Sequence, residues 1–216
     1  MAAATFRKPV ILCICGSQKV GSVNKKLLNA AEETLKRVGA DTLQLPEPID
    51  LPLFSEKTEA ENRPPSVKEV KSYFDKADAF CIASPEYNGS MTPYILNLLT
   101  WMSRPIDSND NMYSSFTGKH ALVMAASPGA LGGLRSLVPM QDLLLNMGTT
   151  VLPQKLAVGG AFKAFDEHGM LVNERQKGML ENACHSLMKV ARTKANEEEI
   201  CKAVAKYADY GNLPLN

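Results

Sequence analysis

The chain has 216 residues, of which 45% are apolar and 22% charged, with 24 basic against 23 acidic side chains and a formal net charge of +1. That length suits one ordinary α/β domain with a sizeable core, and the composition excludes a disordered or collagen-like chain. The even charge balance speaks against binding to a nucleic-acid duplex, which draws most of its affinity from phosphate neutralisation.

Val10–Cys15 is a continuous apolar run rich in β-branched residues, as expected of a strand buried on both faces. Asn24 to Val38 follows with Leu27, Leu28, Ala31, Leu35 and Val38 on one helical stripe, and Gly39 stops it. Thr42–Leu45 alternates, as an edge strand would. Gln44–Arg63 has no periodicity and carries Pro46, Pro48 and Pro52, which predicts a long rim loop able to act as a lid. After Pro64-Pro65, Ser66-Val-Lys-Glu69 reads as a capping box opening a helix to about Lys76. Ala79–Ala83 is a third strand, and Thr92-Pro93 caps a helix running to Met102. Ala121–Ala126 is a fourth strand. Gly133 to Met147 is a helix that Pro139 either kinks or delays. Thr149–Leu152, closed by Pro153, is a fifth strand, and Asn173 caps a last long helix through Ala191. Residues 1–8 read as a tail and 196–216 as a helical extension, all within a single domain.

Strands that alternate with helices imply a doubly wound parallel sheet with helices on both faces. The helices at 93–102 and 133–147 are apolar on more than one side, so a second copy of the chain is the expected cover. Met1–Pro9 lacks the apolar core of a secretory leader. Five cysteines without such a leader read as reduced thiols in a cytoplasmic setting.

In such a sheet, ligands bind beyond the carboxyl ends of the strands. Three loops leave those ends. Gly16-Ser-Gln-Lys-Val-Gly-Ser-Val-Asn24 places Ser17, Lys19, Ser22 and Asn24 beside the exposed N–H groups of a helix start, a pattern suited to a phosphate monoester. It is neither a Walker A loop, because Ser22-Val23 replaces Lys-Ser/Thr, nor G-x-G-x-x-G, because Gln18 interrupts it. Ser84-Pro-Glu-Tyr-Asn-Gly-Ser90 offers Tyr87 and backbone amides to a flat polar ring, and equally fits a surface turn. The third loop is Ser127-Pro-Gly-Ala-Leu-Gly-Gly133; Ala125-Ala-Ser127-Pro-Gly129 at its start resembles a nucleophile elbow with Ala in place of the first Gly, but Pro128 removes the N–H that an oxyanion hole requires. Cys13 and Cys15 share a strand face without a histidine cluster, and His120, His168 and His185 lie far apart, so no metal site is expected.

Taken together, G-S-x-x-x-G-S-x-N, P-E-Y-N-G-S and the Ser–Gly–Gly-Gly loop resemble the NADPH-dependent FMN reductase family, from about Pro9 to Leu187. The resemblance implies a flavodoxin-like sheet of order 2-1-3-4-5 and a homodimer or tetramer. It implies FMN as cofactor and NADPH or NADH as donor, with two-electron ping-pong hydride transfer through flavin N5 to a quinone, flavin, azo compound or similar acceptor. It would place the phosphate on Ser17, Lys19, Ser22 and Asn24. Pro85, Glu86, Tyr87, Asn88 and Gly89 would line the ring, with Ser127 and Gly129 closing the opposite side. No protein acid or base is obligatory in that scheme. Lys19 stands where the family has arginine, keeping the charge without the bidentate fork. Leu96 and Thr100 replace the family's Lys and Asp, which bears on inter-subunit ion pairing and leaves the apolar interface. Two competing readings are a flavodoxin-type electron carrier, disfavoured by the near-zero net charge, and a flavin-free interaction protein that keeps the fold.

Overall fold

A computed structural model describes residues 6–47 and 49–210. Pro48, the first five residues of the expected tail and the last six of the extension lie outside the described residues. Five strands, β1 (Val10–Cys15), β2 (Asp41–Gln44), β3 (Ala79–Ala83), β4 (His120–Ala126) and β5 (Thr150–Val158), form one parallel sheet of order β2-β1-β3-β4-β5. Residues of β1 alternate between two cores. Ile11 and Cys13 face the side covered by α1 (Val23–Arg37) and α6 (Glu174–Ala195). Leu12 and Ile14 face α3 (Pro65–Lys76), α4 (Pro93–Met102) and α5 (Leu134–Asn146). A strand covered on both sides must be apolar at every position, which is why β1, β3 and β4 read as unbroken runs. Further described helices are α2 (Glu56–Glu61) and α7 (Glu197–Tyr210).

Four local expectations change. β5 does not end at Pro153 but continues to Val158. Its register against β4 slips between the Ala121–Val151 and Val123–Lys155 pairs, so Pro153 falls in an irregularity of an edge strand, where no N–H is needed. The capping box is absent: α3 starts at Pro65 with Pro64 as its cap, and Ser66 Oγ donates instead to the Asp50 carbonyl (2.8 Å). α5 begins at Leu134 and runs through Pro139, so the proline does not delay it. The Gln44–Arg63 segment is not a structureless lid. It holds α2, capped by Ser55, and is pinned to α4: Trp101 Nε1 donates to Pro52 O (2.8 Å), and Asn97 Oδ1 accepts from the Phe54 amide (2.8 Å).

Candidate active site

The loop after β1 is fixed at both flanks. The Gly16 amide donates to Ala83 O (2.8 Å), and Gly16 O accepts from Thr92 Oγ1 (2.8 Å), whose oxygen also caps α4. A Cβ on Gly16 would lie 2.6 Å from Ser84 Cβ and 3.0 Å from Ser84 Cα, so only glycine lets the first two loops meet so closely. Ser22 caps α1 by accepting from the Asn24 amide (3.2 Å). Among the described residues, the Ser17, Gln18, Gly21 and Val23 amides have no protein acceptor, and Lys19 makes no ion pair. Asn24 is buried. Its side chain clasps the end of β4, donating to Ala126 O (2.9 Å) and accepting from the Ala126 amide (2.8 Å). That amide group is thus already satisfied, and it sets the position of the loop.

The loop after β3 is a tight reversal. Tyr87 and Ser90 exchange two backbone hydrogen bonds of 3.0 Å, with Asn88 and Gly89 at φ 54° and 77° between them. Asn-Gly is the pair that tolerates two consecutive positive φ angles. The turn presents Tyr87 half-exposed. Beside it, Glu86 accepts from the Arg135 amide (3.1 Å) and Nε (2.7 Å) at the start of α5. The Arg135 hydrogen bond holds the Glu86 carboxyl below the usual range, although burial opposes the shift.

The loop after β4 extends the ladder, since the Ser127 amide donates to Val158 O (3.0 Å). Ser127 Oγ accepts from the Gly129 amide (3.3 Å), and Ser127 O accepts from Ala161 (3.1 Å), so the serine is a turn-former here.

The three loops converge. Ser17, Lys19, Ser22, Asn24, Pro85, Glu86, Tyr87 and Ser127 line one cavity of about 220 Å³, together with Phe162. Asn88, Gly89 and Gly129 line an adjoining cavity of about 610 Å³ that shares Glu86 and Ser127. All eleven residues singled out from sequence therefore border two adjoining cavities at the carboxyl end of the sheet. Glu86 is the one carboxylate among the residues lining the smaller cavity, and Arg135 balances it, so an anion entering there meets no uncompensated negative charge. Phe162 and Arg135 have no sequence signal beyond the glycines before them. Their partners lie tens of residues away.

A further cavity of about 540 Å³ shares Ser17, Lys19, Gly21 and Ser22 with the smaller one and is bounded besides by Cys15, Lys25, Glu47 and Tyr94. Burial raises the Cys15 thiol and pushes Tyr94 up to about 12, so neither is poised as a nucleophile. Among the described residues no group of three His, Cys, Asp or Glu could hold a metal ion, and no helix is long and apolar enough to cross a membrane.

The sequence profile of the NADPH-dependent FMN reductase family matches residues 9–163. An NAD(P)H-dependent FMN reductase from Pseudomonas aeruginosa is 28% identical over 179 residues, covering 82% of this chain and 92% of the relative. An NAD(P)H:quinone oxidoreductase from Solanum tuberosum is 30% identical over 183 residues, covering 82% of this chain and 90% of the relative. Among solved structures, the flavoenzyme NAD(P)H:acceptor oxidoreductase of Paracoccus denitrificans superposes with a TM-score of 0.74 at 26% identity, covering 87% of this chain and 99% of that one. With every loop of the cleft inside the matched residues, the chain belongs to the NADPH-dependent FMN reductase family of oxidoreductases.

Proposed function

We propose that this chain is an FMN-dependent NAD(P)H oxidoreductase that passes two electrons to a quinone, a flavin, an azo compound or another small planar acceptor, with donor and acceptor using the same opening in turn. The convergence of three loops on two adjoining cavities carries the reading. The relatives' names supply the nicotinamide donor and the quinone and flavin acceptors.

The residues fit FMN. Unpaired amides at Ser17, Gln18, Gly21 and Val23, the hydroxyls of Ser17 and Ser22, and the Lys19 ammonium form a donor set for a terminal phosphate. Asn24 holds that loop in register with β4 and acts as a positioning residue. The backbone of Pro85–Gly89, the Tyr87 ring and the Ser127–Gly129 turn line the neighbouring space, where a flat ring would lie. Bound flavin supplies the hydride chemistry, while the protein binds it, orients it and leaves one side open. No side chain is assigned as an obligatory acid or base. A homodimer through the helices at 93–102 and 133–147 belongs to the same reading, since Leu96, Leu134, Val138 and Leu145 are left exposed there. The five free thiols favour a cytoplasmic setting.

The test is anaerobic stopped-flow spectroscopy of the purified chain with FMN. A yellow protein that bleaches on mixing with NADPH or NADH, and recovers its colour with a quinone, supports the reading. A yellow protein that neither nucleotide bleaches indicates an electron carrier, and a protein that stays colourless with excess FMN indicates a flavin-free one. Either result overturns the proposal.

A further inference from the structure

Phe162 combines two properties that rarely coincide. Its side chain is 75% exposed, yet the backbone on both sides of it is hydrogen-bonded in place. It is the middle residue of the short 3-10 turn Ala161–Lys163 after β5. Ala161 on one side is buried and donates to Ser127 O (3.1 Å); Lys163 on the other donates to Gly160 O (3.0 Å). A loose surface phenylalanine needs no such anchoring. This one is held at the rim of the three-loop cavity, to which it is the one contribution from the segment after β5. The first loop gives that cavity a polar wall of Ser17, Lys19 and Ser22, while Phe162 and Tyr87 are its two aromatic residues.

A ligand whose charged tail takes the polar wall would run its neutral middle past Phe162. We propose that Phe162 is a positioning residue for the flavin nucleotide. It covers the sugar-alcohol chain between phosphate and ring. An apolar cover of that kind takes the carbon surface of the chain out of water, a gain that does not depend on the phosphate. This inference rests on the cleft being the FMN site.

The experiment titrates the full chain, freed of flavin, with FMN and separately with riboflavin, following flavin fluorescence. Phe162→Ala should weaken both ligands alike, by roughly tenfold, because the lost contact is apolar and independent of the phosphate. Phe162→Leu should restore most of the affinity. Lys19→Ala should weaken FMN and leave riboflavin unchanged. The melting temperature of flavin-free Phe162→Ala should match that of the parent, since the ring covers nothing in the empty protein. Unchanged affinity in Phe162→Ala overturns the inference, as does a loss confined to FMN or a fall in the flavin-free melting temperature. A changed sedimentation coefficient would assign the ring to a subunit contact and equally overturn it. Failure of the unaltered chain to bind either flavin overturns the reading of the cleft itself, a result distinct from all of these.

Discussion

The two ends of the sheet handle their polar groups in opposite ways. At the amino end, most are consumed internally, although the buried Nδ1 of His120 at the start of β4 has no partner among the described residues. Arg7 meets both Asp78 oxygens (2.7 and 2.6 Å), Asp78 also accepts from the Val10 amide (2.8 Å), and Asn196 Oδ1 accepts from the Arg7 amide (2.8 Å). Lys119, buried below β4, donates to the Phe74 carbonyl at the end of α3 (2.6 Å). At the carboxyl end, among the described residues, the first loop leaves a row of amides and a lysine without protein partners, and Glu86, the one carboxylate lining the smaller cavity, is balanced by Arg135. The same parallel strands thus end in a largely internal network on one side and a ready set of donors on the other. Where a fold leaves donors unpaired in a rigid cleft, a ligand is the partner to look for.

The largest blow to this contrast should come from Gly16→Ala. Its new Cβ would press on buried Ser84 at 2.6 Å from Cβ and 3.0 Å from Cα, forcing the first two loops apart. We expect a loss of about 3 kcal/mol in urea unfolding and no measurable FMN binding. Next is Asn24→Ala, which leaves the Ala126 N–H and C=O unpaired in a buried place. It should cost about 2 kcal/mol and also weaken FMN, whereas a direct ligand residue on the surface would weaken FMN alone.

Third is pH. Burial lowers the Lys119 ammonium to about 8, while the unfolded chain keeps the ordinary lysine value. Below about pH 8 both states are protonated, and the folded one bears the full cost of a buried charge. Between there and the ordinary value, only the unfolded state holds the extra proton, so stability rises with pH by up to about 1.4 kcal/mol per unit. The stability of the parent chain relative to Lys119→Met should therefore improve from pH 7 to pH 9.5. A flat difference would mean that Lys119 titrates normally. The smallest effect is Lys19→Arg, which should tighten FMN a few-fold through a bidentate contact and leave urea unfolding unchanged.

Much of the frame is readable in one dimension because double-sided burial leaves a plain mark. Leu12 and Cys13 are both buried although they point to opposite faces, so no polar residue interrupts the run. The far half of β5 lacks that mark. As an edge strand it alternates exposed Pro153 and Lys155 with buried Leu152 and Leu156, and its proline imitates a terminator. α2 spans only six residues, too few for a helical period to show. In the cleft, residue type points to the loops that converge but not to the use of each side chain. Asn24 looks like one more donor until Ala126, 102 positions away, takes both ends of its amide. Glu86 looks like a ring contact until Arg135 binds it. Contacts of that span belong to the packed fold, and local patterns do not encode them.

The Asn24 clasp has one more outcome. By hydrogen-bonding the start of the first helix to the tip of the fourth strand, it ties the two halves of the proposed binding surface together before any ligand arrives. An arriving nucleotide therefore need not organise loops before it is held, and little conformational entropy is forfeited on loading. Calorimetry of that encounter should show a heat capacity change set by the ligand's own dehydration, with no contribution from folding of the chain around it.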